Sequence, residues 1–314
     1  MKIKSFFLLL IISLILPIGQ DATLSALDSP ILPDGTPTFL PLTARNRQPR
    51  LPGVIYGWDY AGDKWQPYRD VGANFTLISR FDWADEPHEA APADIIAIYG
   101  IPLRYADSQG NRHLYQPSEF PQLPAFVAAH KGSWWQLGNE PYGIPWSLAW
   151  PLTVPEYAEW SHIWYYHIKG LDPTAKIALA GMESEPIDGV MQRFDATVAY
   201  WRSHWGTFPF NAVDFHCYTY TWDRLRAARD YMRLANINTE LWMTEFGCPG
   251  RDYATCINFL DGSIAAAKYY SVSKYLWYVG HQPSCDDPIW SPTCLWNEYG
   301  SRTLLGVSFS KRVK

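Results

Sequence analysis

The chain lacks any long run of lysine or arginine. Its 26 basic residues against 31 acidic ones leave a formal net charge of −5. That balance offers no phosphate-tracking groove and excludes nucleic acid as an expected partner. The glycine fingerprint of a dinucleotide site is missing too: the first strand-like run leads into Gly57-Trp58-Asp59-Tyr60, with no G-x-G-x-x-G to bring backbone amides against a pyrophosphate. There is no C-x-x-C spacing and no His-x-His, and the eight histidines are scattered, so no zinc site, metal or organic cofactor is expected. The mostly apolar run Ser5–Leu16 holds 12 residues, short of the roughly 20 that a membrane-spanning helix needs.

What the chain has in excess is aromatic surface. Aromatic residues make up 16% of the sequence, including 16 Trp and 20 Tyr. This is more flat amphipathic surface than a core requires, and part of it is expected to face a ligand. Hydrophobic residues at 47% of 314 suffice for a large core.

Residues 1–22 read as a signal peptide or N-terminal anchor: Lys2 and Lys4 precede the apolar run, and Pro17, Gly19 and Ala22 follow it. Either form puts the remainder outside the cytoplasm, with membrane contact only if the segment is retained. Residues 23–52 are rich in Pro and Thr without a period and read as an extended linker. Five cysteines agree with an oxidising compartment. Cys248 and Cys256 lie in one stretch, Cys285 and Cys294 in another, and Cys217 in an apolar run. Two loop disulfides and one buried thiol are expected, with all three pairings of the four loop cysteines open.

From 53 to 314, short apolar runs alternate with helical ones. The strand candidates are Val54–Trp58, Phe75–Arg80, Ile101–Tyr105, Trp134–Leu137, Lys176–Ala180, Val213–Tyr218, Leu241–Glu245 and Tyr275–Val279. Helices are expected at Val154–Gly170, Ile187–Trp205, Trp222–Ala235 and Ala254–Ser271, with weaker ones at Ala90–Tyr99 and Glu119–His130. Eight strands alternating with helices predict an α/β fold, a single-domain (β/α)8 TIM barrel, over an open doubly wound sheet.

In such a barrel the active site lies at the C-terminal strand ends. Two carboxylates stand there: Glu140 in Leu-Gly-Asn-Glu-Pro closes the fourth strand, and Glu245 in Leu-Trp-Met-Thr-Glu-Phe-Gly closes the seventh. A glycosidic bond is cleaved with retention by one neutral carboxylic acid and one carboxylate about 5–5.5 Å apart. Facing strands allow that approach. Two such groups share a proton, which is expected on Glu140, with Arg80 and Tyr218 keeping Glu245 ionised. Glu183 and Glu240 read as solvent or loop residues, Glu240 at the opposite end of the barrel. Trp58, Trp83, Trp146, Trp222, Trp290 and Trp296 fall in or beside strand-to-helix loops as candidate platforms for sugar rings.

These motifs resemble the retaining glycoside hydrolases of clan A, a (β/α)8 superfamily with cellulase-like and mannanase-like members. The resemblance implies that Glu140 is the acid/base, Glu245 the nucleophile, and Asn139 a ligand of the sugar 2-hydroxyl. It implies further that Arg80 is the strand-two arginine, that His216 and Tyr218 are the His-x-Tyr of strand six, and that Trp277 floors the sugar site. In place of a histidine ending strand three stand Arg104 and Tyr105. Asn-Glu-Pro and Thr-Glu-Phe also resemble the alkali-sensitive-linkage-type β-glucanase relatives, which therefore compete with the cellulase-like group. The expected function is a secreted retaining glycoside hydrolase acting on a carbohydrate substrate. The alternatives are a carbohydrate-binding barrel without turnover and a metal-dependent barrel hydrolase.

Overall fold

The computed structural model describes residues 51–54, 65–78, 94–107, 109–143, 150–183, 187–278, 285, 293–296 and 301–313. The segments 1–22 and 23–50, and with them Trp58, Arg80, Trp83, Trp146 and Trp290, lie outside the described residues.

Residues 48–314 form one compact unit. Its strands are β1 (Leu51–Val54), β2 (Phe75–Ile78), β3 (Ile96–Ile101), β4 (Arg104–Ala106), β5 (Arg112–Leu114), β6 (Trp134–Asn139), β7 (Lys176–Met182), β8 (Ala212–Phe215), β9 (Glu240–Phe246) and β10 (Lys274–Trp277). The helices are α1 (Gln66–Val71), α2 (Leu123–Ala129), α3 (Val154–Leu171), α4 (Ile187–Trp205), α5 (Thr221–Leu234), α6 (Tyr253–Tyr269) and α7 (Leu304–Val313). Eight strands close a parallel barrel in the order β1-β10-β9-β8-β7-β6-β3-β2, while β4 and β5 form a separate antiparallel hairpin. The fold is a TIM barrel.

Local chemistry explains the long helices. Thr153 caps α3 in a box with Glu156, each side chain bonding the other's backbone amide, and a proline occupies the first turn. Asp252 caps α6 by accepting from the Thr255 amide at 2.9 Å. These helices start and stop within two residues of the expected bounds.

Two expected elements differ. Ile96–Ile101, taken at the sequence level as the end of a helix over Ala90–Tyr99, is the third barrel strand, buried at five of its six positions. A strand covered on both faces shows no alternation, so its apolar run is ambiguous with a buried helix turn. The residues expected as that strand, Ile101–Tyr105, run on into the hairpin that follows it. The first strand likewise starts three residues early, at Leu51. Pro52 brings no amide to its ladder, and β1 meets β2 only at Gly53 opposite Phe75.

Side chains inside the barrel and those between strands and helices form separate clusters. Phe75, Leu77, Ile98, Trp134, Ala178, Ala212, Trp242 and Leu276 fill the interior. At the N-terminal end of that interior the Lys274 ammonium lies over the rings of Trp134 at 4.4 Å and Trp242 at 4.8 Å and pairs with Glu240. Glu240 thus closes the floor of the barrel, away from the strand ends, and is half-buried, its side chain 15% exposed. Replacing Lys274 by Met leaves that carboxylate desolvated without its cation. It is expected to cost about 3–5 kcal/mol in denaturant unfolding, much of it recovered in the double variant with Glu240→Gln. A single-variant loss below about 1 kcal/mol would show the pair to be dispensable.

The loop cysteines pair as neighbours, Cys248 with Cys256 and Cys285 with Cys294, and Cys217 is free and buried. No helix among the described residues is long and apolar enough to cross a membrane.

Candidate active site

The strand ends β6, β8 and β9 bring Glu140, His216 and Glu245 together: one ligand atom from each lies within 4.8 Å of the other two. His216 Nδ1 is 2.8 Å from Glu140 Oε1 and 3.5 Å from Glu245 Oε2. Tyr218 donates to Glu245 Oε2 at 2.6 Å, and the Asn139 amide reaches Glu245 Oε1 at 3.4 Å. Of the sequence-derived site residues, Glu140, Glu245, Asn139, His216 and Tyr218 therefore share one cluster. Arg80 and Trp58 lie outside the described residues.

The backbone explains how each side chain arrives. Asp214, His216 and Tyr218 are two apart, so a strand running past its ladder turns all three to the same side. On β9 strict alternation would turn Glu245 outward, because Trp242 and Thr244 face in. Instead the register slips: Tyr275 pairs with Met243 but Trp277 pairs with Phe246. The extra residue re-aims Glu245 into the cleft. At the end of β6, Gly138 has φ +81, and a Cβ there would press on the Leu103 side chain at 3.3 Å. Glu140 itself has φ +43, a left-handed conformation unusual for a non-glycine residue.

Trp277 is not the floor of this cleft. It is fully buried, packs on Phe246 and Phe259 in the outer layer, and donates its indole N–H to the Thr293 carbonyl at 2.7 Å. Alternation along β10 puts Lys274 and Leu276 inside and Tyr275 and Trp277 outside. The residue that faces Tyr218, with ring centroids 6.0 Å apart, is Tyr278. Trp296 is also buried, while Trp222 packs on Tyr269 and Tyr270 at the helix layer.

Electrostatics draw the proton away from its expected place on Glu140 and toward His216. Burial pushes the Glu140 carboxyl up, but the His216 hydrogen bond and the charges of His216 and Arg104 outweigh it, and the net direction is down. Burial pushes Glu245 up as well. The Glu140 and Asp214 charges add to that, and the His216 charge and the Tyr218 bond do not offset them. Glu245 is the drier carboxyl, its side chain 13% exposed against 25% for Glu140, and the imidazole sits closer to Glu140. For His216 burial disfavours the cation, yet Glu245, Glu140 and Asp214 together raise its pKa to about 10.

That elevation has a stability consequence. A histidine whose folded pKa lies above its unfolded value of about 6.5 contributes stability fully present below that pH and lost as pH rises toward about 10. Unfolding free energies measured across this window are expected to fall for the wild type relative to His216→Gln. Parallel curves would refute a charged His216.

Several groups at the site left no clear mark in the sequence. Asp214 is fully buried beneath His216 and accepts from the Gln136 amide at 2.8 Å, the Thr244 amide at 2.8 Å and the Thr244 hydroxyl. Extending the His-x-Tyr period back by two positions would have found it. Glu183, expected in solvent, is 5% exposed; its oxygens have no full hydrogen bond among the described residues, and burial pushes its pKa up. It packs behind the Glu140–Gly143 turn, where a Cβ on Gly143 would meet Glu183 Cγ at 2.7 Å. Arg104 donates to the carbonyls of Pro141 at 2.7 Å, Glu140 at 3.0 Å and Gly143 at 3.1 Å.

The chain is similar to a GH128 subgroup II endo-beta-1,3-glucanase from Pseudomonas viridiflava, with a TM-score of 0.60 and 19% identity over 83% of this chain and 96% of that one. It is similar to a glucosidase from Croceicoccus marinus, with a TM-score of 0.60 and 14% identity over 84% of this chain and 67% of that one. An endo-beta-1,4-mannanase from Thermotoga petrophila follows, with a TM-score of 0.52 and 12% identity over 85% and 76%. The barrel is one shared with glycoside hydrolases. At such identities the likeness is one of fold. No protein-family model matches the chain, and no curated protein is significantly similar to it.

Proposed function

We propose that this protein is a secreted retaining glycoside hydrolase that cleaves β-glycosidic bonds of a poly- or oligosaccharide by double displacement. The observation that carries the reading is the approach of Glu140 and Glu245 within 4.8 Å across the mouth of the barrel. Inverting enzymes need roughly 6.5–9.5 Å to seat a water between their carboxyls, and retaining ones about 5–5.5 Å. The export-signal character of 1–22 and the two disulfides support secretion.

In this reading Glu245 attacks the anomeric carbon while Glu140 gives its proton to the departing oxygen. An imidazolium between two carboxylates holds the same number of protons as a neutral imidazole beside a protonated Glu140. Moving one proton along the 2.8 Å His216–Glu140 bond therefore arms the acid without drawing on solvent. Once Glu245 is esterified its charge is gone, and Glu140, now a carboxylate, takes a proton from the water that attacks the same carbon. The ester bond breaks, a sugar hydroxyl forms, and Glu245 leaves as carboxylate. Asn139 is placed for the sugar 2-hydroxyl, whose hydrogen bond strengthens as charge develops.

GH128 neighbours named for β-1,3-glucan and others named for β-mannan set the substrates to try first. The test is release of reducing sugar from β-1,3-glucan and β-mannan, and of phenol from aryl β-glycosides. Cleavage of none of them, with the sugars still bound, favours a binding barrel instead.

A further inference from the structure

The turn that carries Glu140 is held by arginines at four consecutive carbonyls. Arg104 takes those of Glu140, Pro141 and Gly143, and Arg193 takes that of Tyr142 at 3.0 Å with its guanidinium 5.8 Å from the Tyr142 ring. Within that turn Glu140 sits at φ +43. For a residue with a Cβ that conformation is unfavourable and persists only where the surroundings over-determine it.

Arg104 is itself held rigidly. It opens the hairpin β4–β5, where Tyr105 stacks between His113 at 4.9 Å and Tyr115 at 4.4 Å. The Tyr115 carbonyl in turn accepts from the indoles of both Trp160 and Trp164 on α3, at 2.7 and 2.9 Å. Arg104 has two carboxyl neighbours, Glu140 in front and the buried Glu183 behind the turn. Lysine, with one nitrogen, cannot reproduce a planar fork spread over three carbonyls.

We infer that Arg104 is the positioning residue of the acid/base: from the hairpin after the third barrel strand it fixes the left-handed turn that aims the Glu140 carboxyl and brings a cation to its back. The inference rests on the reading of Glu140 as acid/base and deepens it. The groups facing Glu140 are Arg104, Glu183, His216 and Glu245, and removing the guanidinium takes away a charge that favours the Glu140 carboxylate, so the protonated form of Glu140 gains.

The test compares Arg104→Met and Arg104→Lys with the wild type on aryl β-glycosides whose phenols differ in acidity. A 2,4-dinitrophenolate departs without a proton, whereas phenol needs one. For Arg104→Met, kcat/KM on the phenyl glycoside is expected to fall about 100-fold and on the dinitrophenyl glycoside by less than about 3-fold, with Arg104→Lys between. Equal losses on both would reduce Arg104 to a general structural role, and no loss would overturn the inference outright. If Arg104→Met does not fold, Arg104→Lys carries the same comparison.

A substrate-free readout separates this inference from the reading beneath it. The Glu140 carboxyl carbon, assigned with Glu140→Gln in glutamate-labelled protein, is expected to titrate at higher pH in the Arg104 variant than in the wild type. An unmoved midpoint sinks the Arg104 role even if glycosides are cleaved. A raised midpoint without turnover of any glycoside keeps that role and discards the hydrolase.

Discussion

Turnover of aryl β-glycosides is expected to fall by at least about 10⁴-fold in Glu245→Ala, a loss of roughly 5.5 kcal/mol of transition-state stabilisation. Among the described residues no other carboxylate can stand in. Glu140 lies on the leaving-group side, Asp214 is sealed under His216 by Gln136 and Thr244, and Glu183 sits behind the Glu140 turn. The fold should not suffer. Glu245 is held desolvated beside the negative charges of Glu140 and Asp214, so removing it relieves repulsion, and unfolding at neutral pH is expected to be as costly as in the wild type or more so. Initial rates with denaturant unfolding on the same preparations check both halves. Turnover within tenfold of the wild type would remove the nucleophile.

Glu140→Ala is expected to act in a different pattern. Glycosides with weakly acidic leaving groups lose about 10²–10⁴-fold in kcat/KM, because nothing protonates the departing oxygen. Activated glycosides still esterify Glu245, and the ester then waits for a water that no base activates. Azide needs no base, and its addition should release a β-configured glycosyl azide. An α-configured azide, or none, contradicts the acid/base role. The same substitution takes from His216 its 2.8 Å acceptor and one of the charges that raise it, so the imidazole is expected to titrate lower in this variant.

The sequence made the barrel and its four long helices legible for physical reasons. Helices α3 and α6 carry capping side chains, all four are long helical runs, and their order with the strands leaves few topologies. The pair Asn139-Glu140 and the residue Glu245 could be placed at strand ends because strand identity sufficed. Phase did not follow so easily. Trp277 turns into the outer layer while Tyr278, one position on, faces Tyr218, and an apolar run buried on both sides gives no parity from which to choose. Glu245 points inward only because β9 gains a residue against β10, and no local pattern announces a bulge. Arg104 was visible as a departure from the resembled pattern, but its fork over the Glu140 turn joins residues 36 to 39 apart, a distance that sequence reading does not bridge. The balance between the two carboxyls was not legible, because it depends on which oxygen the imidazole stands nearer, a matter of ångströms.

The anomeric configuration of the first product, followed by proton NMR within minutes of adding enzyme to the best β-linked substrate, tests the double displacement most directly. Two carboxyls this close leave no seat for an attacking water opposite the leaving group, so the β-anomer is expected to appear first and the α-anomer only as it mutarotates. The α-anomer appearing first would mean that water attacks directly, and that Glu245 is no nucleophile.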